Sequence, residues 1–160
     1  MARELLLIGL CAALAGGCKN EPGAGAKAAH VSDSSAAASA PIPADQPPLV
    51  SKSNFRIDAA PPACAAGKPC EVELRLTALG EYKVNKDYPF KFLPKEQAGV
   101  TIEDVAAFAH QGKQQGAFKV RFHADAAGPA QLAGVFKLSV CTEAECAIEE
   151  PEIALAVDVR

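Results

Sequence analysis

GVFKLSVCTEAECAIEEPEIALAVDV, residues 134–159, reads as a strand, a short turn and a second strand. Both of its ends alternate between apolar and other residues, and the apolar positions are Phe136, Leu138, Val140, Ile153, Leu155, Val157 and Val159. A period of two places these side chains on one face of an extended chain. The stretch therefore predicts two strands of a sheet that is buried on one face and solvated on the other.

The same alternation marks the rest of the chain from residue 54 onward. It is clear in 70–79 and 117–124, and weaker in 55–57, 81–84, 88–93 and 100–102. Turn-forming residues separate these segments, which is typical of short antiparallel strands. One segment, 102–110, has a helix as its alternative, although it is short. The pattern predicts an all-β fold, an immunoglobulin-like antiparallel β-sandwich over residues 54–160.

Composition excludes several classes of function. The 160 residues carry a formal charge of −3, contain no Trp and have a single Met. Nucleic-acid binding needs a basic patch, and the sequence offers none, so we expect no nucleic-acid partner. The three histidines, His30, His110 and His123, lack partners at metal-ligand spacing, so we predict neither a metal nor a cofactor. The sequence specifies no small-molecule ligand.

The amino terminus, MARELLLIGLCAALAGGC, has the layout of an export signal. Its apolar run is too short to span a bilayer, which makes a retained transmembrane helix the weaker alternative. LAGGC, residues 14–18, resembles a bacterial lipobox. That resemblance implies that residues 1–17 are a cleaved lipoprotein signal peptide and that the thiol of Cys18 carries lipid; an ordinary secretory signal is the alternative. Lys19 rather than Asp implies the outer membrane, facing the periplasm.

Residues 18–53 comprise the lipidated cysteine and a segment rich in Ala, Ser and Pro. Such a segment has too little apolar surface to offset the entropy of ordering it, so we predict a disordered linker. The predicted organisation is a signal peptide at 1–17, a lipidated tether at 18–53 and one sandwich domain at 54–160. Through its lipid the chain has the membrane as one partner.

Four cysteines remain in the domain, at positions 64, 70, 141 and 146. An even number outside the cytoplasm predicts two disulfides, with three possible connectivities. The four residues between Cys141 and Cys146 are a common hairpin loop length, which favours the local pairs Cys64–Cys70 and Cys141–Cys146. A cross-sheet bond such as Cys70–Cys141 is the alternative.

The strand GVFKLSV that runs into Cys141, the turn to Cys146 and the Glu/Pro segment before EIALAVDV resemble the amino-terminal periplasmic domain of the thiol:disulfide interchange protein DsbD. The resemblance covers about residues 62–160. It implies an immunoglobulin-like sandwich in which Cys141 and Cys146 form a redox dithiol that passes electrons between a membrane protein and periplasmic isomerases.

Charge near this pair bears on the same question. Five glutamates surround the two cysteines, and no basic residue lies between Lys137 and Arg160. Reactive thiolates usually lie beside positive charge, so this pattern favours an inert disulfide unless folding brings a base from another strand. We therefore predict a binding or structural module with an envelope protein as partner, not an enzyme. The alternative is thiol:disulfide exchange through Cys141 and Cys146. The acidic turn is either a solvated loop or a docking surface for a basic partner.

Overall fold

Strands form wherever the sequence alternates between apolar and polar residues. The computed structural model describes residues 46–60 and 62–160, all within one compact unit. The strands of these residues are β1 Val50–Ser51, β2 Phe55–Ala59, β3 Pro69–Ala78, β4 Lys83–Val84, β5 Lys91–Pro94, β6 Val100–Val105, β7 Ala109–His110, β8 Gln115–Ala124, β9 Gly128–Cys141, β10 Cys146–Glu149 and β11 Glu152–Val159. The four clearest predicted strands are all present, within β3, β8, β9 and β11.

The strands make two antiparallel sheets. The first has the order β1-β2-β3-β8-β6, and β7 also pairs with β8. In the second, β9 is central, with β10 and β11 along one side and β4 and β5 along the other. The helical alternative for residues 102–110 is wrong, because this segment pairs with β8 through Ile102–Phe122 and Ala109–Ala117.

One core lies between the two sheets. Alternate residues of β3 and β8 face alternate residues of β9 and β11, and the largest fully buried side chains are Phe55, Phe122, Phe136, Ile57, Leu74, Leu76, Leu132, Leu138 and Ile153. Burial of these apolar side chains is the main favourable contribution to the stability of the sandwich. The predicted fold class, an all-β antiparallel sandwich of immunoglobulin-like type, is confirmed.

β10 and β11 behave as one long strand beside β9. The pairs of β10 end at Glu149–Leu138, and those of β11 begin at Glu152–Val135, so both strands advance by three residues and the register does not shift. Pro151 interrupts the ladder, because it has no N–H to donate, although its carbonyl accepts from the Phe136 amide at 3.0 Å. A hairpin from Gly128 to Val159 therefore forms the long side of the second sheet.

The first hairpin begins inside the predicted linker. Val50 pairs with Ile57, and the amide of Leu49 donates to the Ile57 carbonyl at 2.8 Å. The side chains of Leu49 and Val50 pack against the core, so the folded domain starts before residue 54. The predicted signal peptide 1–17, Cys18 and the linker up to residue 45 lie outside the described residues. Among the residues that are described, no helix is long and apolar enough to cross a membrane.

Candidate functional site

The hairpin tip, residues 141–146, is a tight turn that its own side chains organise. The Thr142 amide donates to the Glu145 carbonyl at 2.8 Å. The hydroxyl oxygen of Thr142 accepts hydrogen bonds from the amides of Ala144 and Glu145, both at 3.2 Å. A threonine that bonds its own loop in this way fixes a short turn without glycine. The loop therefore presents the residues on either side of it in a defined geometry.

Cys141 and Cys146 form a disulfide across the last strand pair before the loop. Their Cα atoms are 4.0 Å apart, which is the close approach of a pair that exchanges no backbone hydrogen bonds. Cys141 is half-buried and Cys146 is exposed. Cys146 is therefore the more accessible residue of this disulfide.

The second disulfide, Cys64–Cys70, has different surroundings. Its Cα atoms are 5.5 Å apart, and the two residues are only 5% and 3% exposed. The bond holds the segment before β3 against the end of β11, where the Arg160 amide donates to the Cys64 carbonyl and the Ala66 amide donates to the Arg160 carbonyl, each at 2.9 Å. Both disulfides are the local pairs, and the cross-sheet alternative does not occur.

Folding brings a basic residue beside the tip. Lys83 of β4 is the cross-strand partner of Cys141, so the two side chains lie on the same outer face of the sheet. The Lys83 Nζ atom is 3.7 Å from a carboxylate oxygen of Glu143 in the loop. A row of Lys83, Cys141 and Cys146 thus crosses the sheet. Sequence reasoning missed Lys83 because a two-residue strand gives no sign of its partner.

The five carboxylates around the cysteines all have partners. Glu149, Glu150 and Glu152 are within 2.8 Å of lysine ammonium groups that come from other parts of the chain, namely Lys52, Lys137 and Lys95 respectively. Glu143 pairs with Lys83, and Glu145 accepts a hydrogen bond from the Tyr82 hydroxyl at 3.3 Å. The acidic surroundings seen in the sequence are therefore partly neutralised in the fold.

Tyr82 and Lys137 respond to these carboxylates. Desolvation of the Tyr82 phenol, then the charge of Glu145 and its hydrogen bond, raise the pKa of Tyr82 above its ordinary value. The hydrogen bond from Lys137 to Glu150 raises the pKa of Lys137, against a smaller opposing effect of desolvation. Both groups keep their protons at neutral pH.

Two large apolar side chains of the described residues are exposed, Ile148 at 64% and Leu93 at 43%. Ile148 is the cross-strand partner of Ser139, one row away from the disulfide on the same outer face. Ser139 is fully buried there and its hydroxyl accepts from the Asn85 side-chain amide at 3.3 Å. A cleft of about 410 Å³ lies between the loop at the tip and the segment around β4, lined by Glu81, Lys83, Thr142, Glu143 and Ala144.

The outer edge of β10 and β11 pairs with no other strand of the described chain except at its end. The backbone amide of Phe136 donates to the Pro151 carbonyl, and that of Thr142 donates to the Glu145 carbonyl. The odd-numbered residues of β10 and β11 therefore direct their backbone N–H and C=O groups toward β9. The even-numbered residues, Cys146 to Asp158, direct theirs outward. Arg160 continues this parity, and it is there that Cys64 and Ala66 cover the edge.

His110 and His123 lie in different surroundings and do not form a common site. The ring of His110 lies edge-on to the rings of Phe108 and Phe90, with centroids 5.0 and 5.7 Å apart. His123 is 3.3 Å from Glu103 on the solvated face of the first sheet. Among residues 46–60 and 62–160, no group of three or more His, Cys, Asp or Glu side chains is arranged to hold a metal ion.

Comparisons with known proteins give one structural likeness. No family model matches the sequence, and no curated protein matches it. Among solved structures, the chain is similar to the crystal structure of a yeast GGA1 GAE domain, with a TM-score of 0.46 and 14% identity, over 68% of this chain and 96% of that one.

Proposed function

We propose that this chain is a lipid-anchored protein of the bacterial cell envelope whose disulfide-stabilised sandwich acts as a binding module. The amino-terminal sequence supports the anchor, because an export signal leads to LAGGC and Cys18. The two disulfides support an oxidising compartment. In this proposal a tether that starts at residue 19 and ends before β1 holds the domain away from the membrane. Lys19 rather than Asp after the lipidated cysteine favours the outer membrane, with the domain facing the periplasm.

Lipidation is tested by growing cells with an alkyne analogue of palmitate and detecting the label on the isolated chain. We expect label on the unaltered chain and none on a Cys18→Ser variant. Cys11→Ser is the matched control, since this cysteine leaves with the signal peptide and its loss leaves the label unchanged. Equal labelling of the Cys18→Ser variant contradicts the anchor.

Ile148 is the observation that carries the binding role. It exposes 64% of its surface on the outer face beside a tip that a disulfide and a threonine-bonded turn hold in place. An exposed aliphatic side chain on a fixed surface contributes to association without a large loss of conformational freedom. We therefore expect a protein partner of the envelope to contact the face that contains Ile148 and the tip.

A photoreactive amino acid at position 148 tests this contact in living cells. We expect a defined adduct from position 148 and none from position 93, where Leu93 is exposed on the same sheet but far along it from the tip. Adducts of equal yield from both positions, or from neither, contradict a binding surface at the tip.

Thiol:disulfide exchange is the second candidate, and the position of Lys83 favours it. In the step that we propose, a partner thiolate attacks the sulfur of Cys146, the more exposed of the two cysteines; the bond to Cys141 breaks, and Cys141 leaves as a thiolate. The Lys83 ammonium, on the same face as Cys141, stabilises that leaving thiolate. This leaves a mixed disulfide between the partner and Cys146. The second thiolate of the partner then attacks its own sulfur in that mixed disulfide and releases Cys146, so the partner dithiol is oxidised to a disulfide and both Cys141 and Cys146 are reduced. This role is the one that the resemblance to the DsbD domain implies.

A redox titration with thiol trapping separates the two candidates. A midpoint below about −300 mV indicates a structural bond, and one near about −200 mV with rapid exchange indicates a carrier. If exchange operates, Lys83→Met slows the release of Cys141 at neutral pH. Lys86→Met is the matched control, because Lys86 lies beyond β4 and is no cross-strand partner of either cysteine.

A further inference from the structure

We propose that the open edge of β10 and β11 binds an extended, basic segment of another protein by strand addition. The inference deepens the proposed role as a binding module and rests on it. It concerns the backbone along one side of the second sheet, not the face that contains Ile148.

Backbone groups provide the first argument. Even-numbered residues from Cys146 to Asp158 direct their N–H and C=O groups away from β9, and within the described residues no backbone group accepts from those amides. Unpaired groups of this kind are a template for another strand. Pro151 does not interrupt the row, because its missing N–H belongs to the side that faces β9. The row spans about 40 Å at 3.4 Å per residue.

The edge already accepts a strand at one end. At Arg160 the chain segment Cys64–Ala66 adds to the same edge, with two hydrogen bonds of 2.9 Å. The Cys64–Cys70 disulfide fixes that segment. This contact shows that the backbone there has the geometry for pairing, and it sets the point at which an added strand must stop.

Charge selects the occupant. Up to Asp158 the ionisable side chains of this outermost strand are all acidic: Glu149, Glu150, Glu152 and Asp158. Lys137 of β9 and Lys95 after β5 pair with Glu150 and Glu152 from the inner side of the strand, whereas Glu149 pairs with Lys52, which follows β1 of the first sheet. The cross-strand row from Lys137 to Glu150 therefore continues in alternating sign if the next residue outward is a cation. A second copy of this chain would instead place glutamates opposite glutamates. The fitting partner is an extended segment with Lys or Arg at alternate positions.

The test measures amide hydrogen exchange by NMR on the full chain, isolated in detergent, with a seven-residue peptide of alternating Lys and Thr as the probe. Because seven residues cover at most four alternate amides, we expect the amides of Glu150, Glu152, Ala154 and Ala156 to exchange at least tenfold more slowly when the peptide is saturating. The odd-numbered amides, already bonded to β9, stay unchanged. A peptide of alternating Glu and Thr gives no protection.

Ala156→Pro removes an outward amide and leaves the ladder to β9 intact, because residue 156 does not donate to β9. We expect peptide affinity to fall at least tenfold, whereas Ala156→Ser retains it. If the proline variant does not fold, a peptide that is N-methylated on its edge-facing amides serves the same purpose and loses binding to the unaltered chain.

Three results overturn the inference: even-numbered amides that are already slow in the free chain, equal protection by the acidic peptide, or unchanged affinity in both the proline variant and the N-methylated peptide. A chain that forms adducts from position 148 but shows no protection along the edge keeps the binding role and loses the strand addition. Clear edge protection without adducts from position 148 would keep the strand addition and remove Ile148 from the binding surface.

Discussion

Gly134 of β9 lies directly under the side chain of Phe92 from the neighbouring strand β5. A methyl group at this position would collide with the ring of Phe92 and with the carbonyl oxygen of Leu93. Phe92 is almost fully buried, so its ring has little room to turn aside. A glycine in the middle of a strand usually weakens it, and here it persists because an aromatic ring takes the space of the missing side chain.

We expect Gly134→Ala to lower the free energy of unfolding by about 1–3 kcal/mol, since overpacking outweighs the smaller entropic gain from removing glycine. Urea unfolding followed by circular dichroism measures it. Ala154→Ser, on the exposed face of the neighbouring strand, is the control and changes stability by less than about 0.5 kcal/mol. Equal midpoints for the two variants contradict this account of the glycine.

Tyr82 offers a pH-dependent readout of the tip. Because its pKa is raised in the folded chain, its stabilising hydrogen bond to Glu145 is present below about pH 10, the ordinary value, and is lost as the pH rises through the folded pKa. The chain has two tyrosines, so absorbance at 295 nm resolves their titration. Glu145→Gln lowers the pKa of Tyr82, and Tyr82→Phe identifies the step that belongs to it. An unchanged titration in Glu145→Gln contradicts the contact.

At the scale of single elements, the two disulfides close rings of similar size in unlike surroundings. Each ring contributes about 2 kcal/mol by loop entropy. Access differs, because Cys146 is exposed whereas Cys64 and Cys70 are buried.

We therefore expect mild reduction to open Cys141–Cys146 first. Titration with dithiothreitol, alkylation and peptide mass spectrometry should label Cys141 and Cys146 at concentrations that leave Cys64 and Cys70 unlabelled. In urea, where the fold is lost, the two pairs should be reduced together, which serves as the control. Labelling in the reverse order in the folded chain would show that burial does not protect the second bond.

Strands with a clear period of two could be predicted from the sequence, but the strands that they pair with could not. β3, β8, β9 and β11 follow from alternation, and the turn between Cys141 and Cys146 follows from its length. β1 has two residues, too few for a period, and it forms because β2 offers it an edge. β4 lies within the weaker candidate strand 81–84, but nothing in that segment shows that it pairs with β9. Lys83 belongs to such a strand, so the charge beside Cys141 depends on a pairing that no local pattern encodes.

At the scale of the whole molecule, the alternation of apolar and polar residues shows which side chains of a strand are buried. It does not show whether that strand lies in the middle of a sheet or at its edge. The same limit applies to the start of the domain. Leu49 and Val50 occur in a segment of Ala, Ser and Pro, and they pack against the core, half-buried, because β1 forms a hairpin with β2. The linker composition therefore extends past the point where folding begins.

Truncation measures this boundary. A chain that starts at residue 46 should unfold at the same urea concentration as the full chain. A chain that starts at residue 54 lacks β1 and the side chains that cover β2. We expect its free energy of unfolding to be lower by about 2 kcal/mol, the scale for burial of one or two aliphatic side chains. Equal midpoints for the two truncated chains would place the boundary at residue 54, as the composition alone suggests.

The unbroken register of β9 with β10 and β11 also bears on the order of folding. Its 14-residue first strand meets the next segment across a four-residue loop, whereas β3 and β8 join residues as distant as Pro69 and His123. Short loops close at a lower entropic cost, so local ladders tend to assemble early. We therefore expect the carboxyl-terminal hairpin to assemble early and to bring its two cysteines within bonding distance before the amino-terminal half has found its partners.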